Sequence, residues 1–249
     1  MRTSRRQMSA VHWQAPGTPL RTSVIRASLL GLLLAIAGAW AMRAWLPLGA
    51  WYPAKVALVF AAMMTTAFGL IGRHHPYDRF GPANQVTMVR AMLMALIASF
   101  IGEPVVPPVA ATATTVAAVI ALLDGVDGWL ARRSRMASAF GARFDVETDA
   151  LFVMAMSFLV WQHGKAGAWV LLGGMRYIFV MAGWFLRWMT RPLTPTRRAK
   201  TISVCHMAAV CIALAPIVPA PLSAMVVATA LSALSWSFAV DVRRLWRMP

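Results

Sequence analysis

From Ala27 onward the chain alternates long apolar runs with short polar breaks. Eight runs stand out: residues 27–46, 53–72, 86–102, 108–128, 146–163, 167–187, 201–218 and 222–240. Each approaches the roughly 20 residues that an α-helix, rising about 1.5 Å per residue, needs to cross a hydrocarbon core about 30 Å thick. A helix keeps its backbone hydrogen bonds within one segment, which suits it to lipid, and the period-two alternation of barrel strands is absent. The breaks carry Pro and Gly, as in 45–53, 102–108 and 216–221, and predict tight connections. Residues 1–26 are polar and basic, and Pro16, Gly17 and Pro19 predict a mobile tail without a helix through its middle. A signal peptide fits poorly, because the apolar stretch after it is too long and lacks a small-residue cleavage site. The pattern predicts an all-α integral membrane protein, a bundle of about eight transmembrane helices with both termini on one side.

Composition sharpens this reading. Of the 249 residues 59% are hydrophobic and 13% charged, with 24 Lys and Arg against 8 Asp and Glu. Disorder needs low hydrophobicity, and a soluble domain carries about a quarter charged residues. A nucleic-acid binder would need a polar surface for its charge, whereas here Arg clusters punctuate apolar runs, so no nucleic-acid partner is expected. With eight spans, 20 of the 24 basic residues fall on the side of the N-terminal tail; only Arg43, Lys55 and Lys165 fall opposite, and Arg176 lies within a span. The positive-inside rule makes the basic side cytoplasmic and turns the net charge of +16 into a statement of topology. A bacterial inner membrane, with both termini and the active site cytoplasmic, is the expected location. Trp40, Trp45, Trp51, Tyr52, Trp161, Trp169, Trp184, Trp188, Trp236 and Trp246 lie near predicted span ends, where amphipathic rings anchor at headgroups. Cys205 and Cys211 share one apolar run and make no disulfide framework.

The acidic residues carry the chemistry. Asp78 and Asp241 fall in cytoplasmic flanks and Glu103 in an external turn, and all three are read as solvated. The other five crowd between Asp124 and Asp149, at the cytoplasmic ends of the fourth and fifth spans. Asp124 and Asp127 are three apart and Asp145 and Asp149 four apart, so each pair shares one helix face, while Glu147 points elsewhere. Two antiparallel spans joined by a short loop can bring the pairs together. Four converging carboxylates repel unless cations neutralise them, and oxygen-only ligands favour Mg²⁺, Mn²⁺ or Ca²⁺ over zinc. Two such ions about 3.5 to 4 Å apart are the clamp used in phosphoryl displacement. Gly125, Gly128, Ala131 and Gly141 leave room for a ligand, and Arg132 offers a forked donor to a phosphate. A structural alternative is two interfacial helix ends with ordinary charges.

Asp124, Asp127, Gly128, Ala131, Arg132, Gly141, Asp145 and Asp149 resemble the pattern of the CDP-alcohol phosphatidyltransferases, D-x2-D-G-x2-A-R-x8-G-x3-D-x3-D, at every specified position and spacing. The resemblance spans about residues 84–246, a six-helix catalytic core, and leaves 27–72 as an added N-terminal transmembrane hairpin behind the basic tail of 1–26. It implies transfer of a phosphatidyl group from a CDP-linked lipid such as CDP-diacylglycerol to an alcohol, with release of CMP, in phospholipid biosynthesis. It further implies two divalent cations, Mg²⁺ or Mn²⁺, held by Asp124, Asp127, Asp145 and Asp149, with Asp149 also the catalytic base. Asp124, Gly128, Ala131, Arg132 and Gly141 would shape the CDP site. Asn84, Thr87 and Arg90, spaced N-x2-T-x2-R, resemble the family's first core helix and are expected near the nucleotide; the plain alternative is a helix cap followed by a snorkelling Arg.

The acceptor is less legible. Arg176, within the sixth span, is expected to face a polar cavity or a carboxylate. Arg187, Arg197, Arg198 and Lys200 crowd the next connection and, with Arg176, make a candidate cradle for a phosphorylated acceptor. Glycerol 3-phosphate is the first choice, as in a phosphatidylglycerophosphate synthase-like enzyme, with inositol phosphate and serine as alternatives. The family implies a homodimer. An ion-coupled transporter is the contrasting class, against which stand the absence of an inverted repeat and of a span broken at its centre.

Overall fold

The computed structural model describes residues 18–74, 81–134, 138–191 and 196–247, and no strand occurs among them. The helices are α1 (Thr18–Trp45), α2 (Tyr52–His74), α3 (Pro82–Ala98), α4 (Pro107–Ser134), α5 (Ala139–Gln162), α6 (Met175–Phe185), α7 (Arg197–Leu214) and α8 (Ala220–Trp246). A 3-10 segment, Ala168–Gly174, leads into α6, and a shorter one, Arg187–Thr190, follows it. Every expected span thus has a helix. Four segments, Thr22–Trp45, Pro107–Leu130, Ala168–Phe185 and Ala220–Trp246, are long and apolar enough to cross a membrane. The protein is an all-helical membrane protein. α3, with 17 residues, is one short of that length, and α5 and α7 carry too many charges for it, Asp145, Glu147 and Asp149 in one and Arg197, Arg198 and Lys200 in the other.

Local chemistry sets the helix starts. α1 begins at Thr18, inside the stretch read as tail, because Pro19 falls in its first turn, where no intrahelical N–H is needed. Residues 1–17 lie outside those described. α3 follows Gly81, whose φ of 82° suits glycine, and has Pro82 in its first turn. Ser138 caps α5 by accepting from the Gly141 N–H at 3.0 Å, and Thr196 caps α7 by accepting from Ala199 N–H at 3.2 Å. The sixth span is not one continuous α-helix. Its first seven residues wind as 3-10, and Gly173 and Gly174 sit where a Cβ would strike Ser157 and His206, or Met154.

α3 is the centre of the bundle, packed on α1, α2, α4 and α5; α7 packs on α8, α4 and α5. The N-terminal hairpin lies against α3, with α2 also reaching α5. At the end remote from the acidic cluster the hairpin is latched. Glu103 accepts from the Gly49 N–H at 2.6 Å and pairs with Lys55, whose ammonium also donates to the Ile101 carbonyl at 3.2 Å. Gln162, ending α5, donates to the Phe100 and Glu103 carbonyls and accepts from Gly102 N–H. Two expectations are corrected here. Glu103 is buried rather than solvated, because the turn around 49 supplies its partners. Tyr52 is fully buried rather than a headgroup anchor, donating to the Leu96 carbonyl at 2.9 Å and stacking on Phe100. Trp45, Trp51, Trp184 and Trp246 do lie exposed on the outer surface.

Candidate active site

α3 and α5 run in the same direction, and their facing sides build the site. Asn84, Thr87 and Arg90 recur every three residues on α3, and all three are buried. Gly141, Asp145 and Asp149 recur every four on α5. A Cβ at Gly141 would stand 2.8 Å from Asn84 Oδ1, so a larger residue there would have to push the Asn84 side chain aside. One turn further along, Arg90 meets the carboxylates. Its Nη1 donates to Asp145 Oδ1 at 2.5 Å, and its Nη2 donates to Asp149 Oδ1 and lies 3.0 Å from Asp124 Oδ1 of α4. Arg90 is completely buried, whereas the three carboxylates keep about a third of their surface.

Oxygens of Asp124, Asp145 and Asp149 lie within 4.8 Å of one another. One guanidinium against three carboxylates leaves two formal negative charges, and oxygen donors of this kind suit a hard divalent cation. The donor set therefore fits the metal expected from sequence. α4 places Asp127 and Arg132 on the turns after Asp124, but the side chains of Asp127, Ala131 and Arg132 lie outside those described, as does that of Arg187. Gly125 has open space where a Cβ would stand.

The sequence reading put Arg90 near the nucleotide or snorkelling to the interface. The structure makes it the hub of the acidic cluster, and snorkelling is corrected: a wholly buried guanidinium has no route to water. The i, i+3, i+6 spacing that ends on a charge inside an apolar helix was the signal for this. Glu147 does point elsewhere, as expected, and takes Arg176 Nη2 at 2.5 Å. Arg176 thus meets the carboxylate anticipated for it. Arg198 pairs with Asp241 at 2.8 Å and lies over Trp236, so Asp241 is paired rather than merely solvated, whereas Arg197 and Lys200 are exposed on the first turn of α7.

The profile of the CDP-alcohol phosphatidyltransferase family matches residues 80–240, well over half of the chain. The chain belongs to this family. The transferase's matched region opens one residue before Gly81 and takes in α3 to most of α8, so the whole acidic cluster with Arg90 falls inside it while α1 and α2 fall outside. Membership makes the chain a transferase that moves a phosphatidyl-type group from a CDP-alcohol to an alcohol in phospholipid biosynthesis. It also makes a divalent metal the family's requirement and membrane lipids its surroundings. Neither the curated proteins nor the solved structures give a match.

Proposed function

We propose that the transferase uses CDP-diacylglycerol as donor and glycerol 3-phosphate as preferred acceptor. The observation that carries the reaction is the convergence of Asp124, Asp145 and Asp149 on one buried arginine. Asp124, Asp127, Asp145 and Asp149 would hold two Mg²⁺ or Mn²⁺ ions, which when bound neutralise the pyrophosphate and the departing CMP. Asp149 takes the proton of the acceptor hydroxyl, whose oxygen attacks the lipid-side phosphorus as the bond to CMP breaks. Arg90 holds Asp145 and Asp149 at fixed separation, so that the base is already oriented when the alcohol arrives. Gly128, Ala131 and Gly141 leave room for the nucleotide, with Asp124, Asn84 and Thr87 beside it and Arg132 donating to its phosphates.

The preference for a phosphorylated acceptor rests on Arg197 and Lys200, two exposed cations on the first turn of α7, which packs against both acid-bearing helices. We further propose that this basic face is cytoplasmic, in a bacterial inner membrane, and that the protein is a homodimer. The test is purified protein with CDP-diacylglycerol, Mg²⁺ or Mn²⁺ and a panel of alcohols, scored for CMP. Glycerol 3-phosphate should give the fastest release, and EDTA should stop it. Faster release with serine or inositol phosphate overturns the acceptor; no release with any alcohol overturns the assigned chemistry.

A further inference from the structure

α5 has two functional faces. Asp145 and Asp149 turn toward Arg90, and Glu147, about 200° away from each around the helix, turns toward Arg176. On that second face lies a half-open chamber of about 510 Å³, a groove bordered by α2 of the hairpin, α3, α5 and the start of α6. Along α5 its wall runs from Phe144 to Phe158, about 21 Å at the helical rise, enough for a lipid tail that fills one leaflet of about 15 Å. The wall is almost wholly apolar.

The polar atoms are gathered at one end, that of the acidic cluster. Glu147 lines the chamber there and is bound by Arg176, and Tyr177 lines it as well. Arg176 Nε and Tyr177 Oη are buried with no hydrogen-bond partner among the described residues. The unmet Tyr177 hydroxyl on the lining of an apolar groove suits a molecule with an acceptor oxygen at one end and a hydrocarbon tail at the other. We propose that the chamber holds one acyl tail of a resident diacyl phospholipid, with an ester oxygen of that lipid accepting from the Tyr177 hydroxyl. The N-terminal hairpin, outside the family match, then has a role: α2 forms one side of the chamber through Val59, Met63 and Ala67, and the Glu103–Lys55 latch holds it in place.

Native mass spectrometry of the full chain, exchanged into lipid-free detergent and then given phosphatidylglycerol, tests this. Wild type should keep one phospholipid per chain. The double variant Ala98→Phe with Ala155→Phe, which fills the chamber from two walls, should keep at least tenfold less while still releasing CMP. Tyr177→Phe, which removes one oxygen without changing shape, should weaken retention about threefold and guards against a misfolded double variant. Equal retention in wild type and variants overturns the proposal. So does displacement of the phospholipid by saturating CDP-diacylglycerol, which would make the chamber part of the donor site, or a lipid-free dimer whose second copy fills it. The readout is lipid mass, so failure of the assigned reaction, seen as absent CMP with retained lipid, is told apart from failure of the chamber.

Discussion

Arg90 reaches three carboxylates because two periodicities coincide, three residues on α3 and four on α5, on helices that run side by side. Asp149 is bound to it directly, so their substitutions should separate chemistry from arrangement. Asp149→Asn keeps the shape and an acceptor for Arg90 but cannot take a proton. CMP release should fall on the order of 10²- to 10⁴-fold with the melting temperature in detergent little changed, and near-normal turnover would remove Asp149 from the role of base. Arg90→Met leaves the acids mutually repelling without a fixed partner, so both turnover and stability should drop, with part of the stability restored by added Mg²⁺. A variant that stays stable without metal would show that Arg90 is dispensable to the cluster. Gly141→Ala adds a single methyl carbon against Asn84 and should reduce turnover at least tenfold through spacing alone, read by the same CMP assay.

At the scale of elements, the apolar runs foretold where helices lie because lipid allows few alternatives, and the i+4 spacing of Asp145 and Asp149 foretold the face of α5 that meets Asp124. Other features depended on contacts far apart in the chain. Glu103 read as a solvated turn residue because its partners, Gly49 and Lys55, stand about 50 positions earlier on a hairpin whose docking nothing local announces. Tyr52 looked like an interfacial ring for the same reason. The 3-10 start of the sixth span was hidden because its cause is the close packing of Gly173 and Gly174 on side chains of α5 and α7. The latch makes a prediction of its own. Glu103→Ala removes the acceptor of the Gly49 N–H and leaves Lys55 only the Ile101 carbonyl, and should destabilise the protein by about 0.5 to 1.5 kcal/mol in a detergent melt. Lys55→Met should cost less, since Glu103 keeps the Gly49 N–H. A melting temperature unmoved by Glu103→Ala would mean that the hairpin is held by apolar packing alone.

For the whole molecule, the charge distribution and the site make one argument. α3, α5 and α7 all begin at the end that carries the acidic cluster, and Arg133, Arg143, Arg197, Lys200 and Arg244 lie exposed near that end of the bundle. The opposite end carries Lys55, which is spent on Glu103, and Lys165, whose ammonium donates to the Ala215 and Val218 carbonyls at the turn before α8. Arg43, also at that end, lies over Trp40, so most exposed cations are gathered on one side, the side proposed for entry of the CDP-linked donor and the acceptor, and by the positive-inside rule that asymmetry supports the proposed orientation. Under the proposed orientation, topology and catalysis select the same face. Single cysteines introduced at Arg197 and at Trp51, with Cys205 and Cys211 replaced by alanine, should behave oppositely toward a membrane-impermeant maleimide added to intact cells. The cysteine at 51 should label at once, and the one at 197 only after the membrane is permeabilised. The reverse pattern would place the acidic cluster outside, away from cytoplasmic nucleotide, and would contradict both the orientation and the donor proposed for the site.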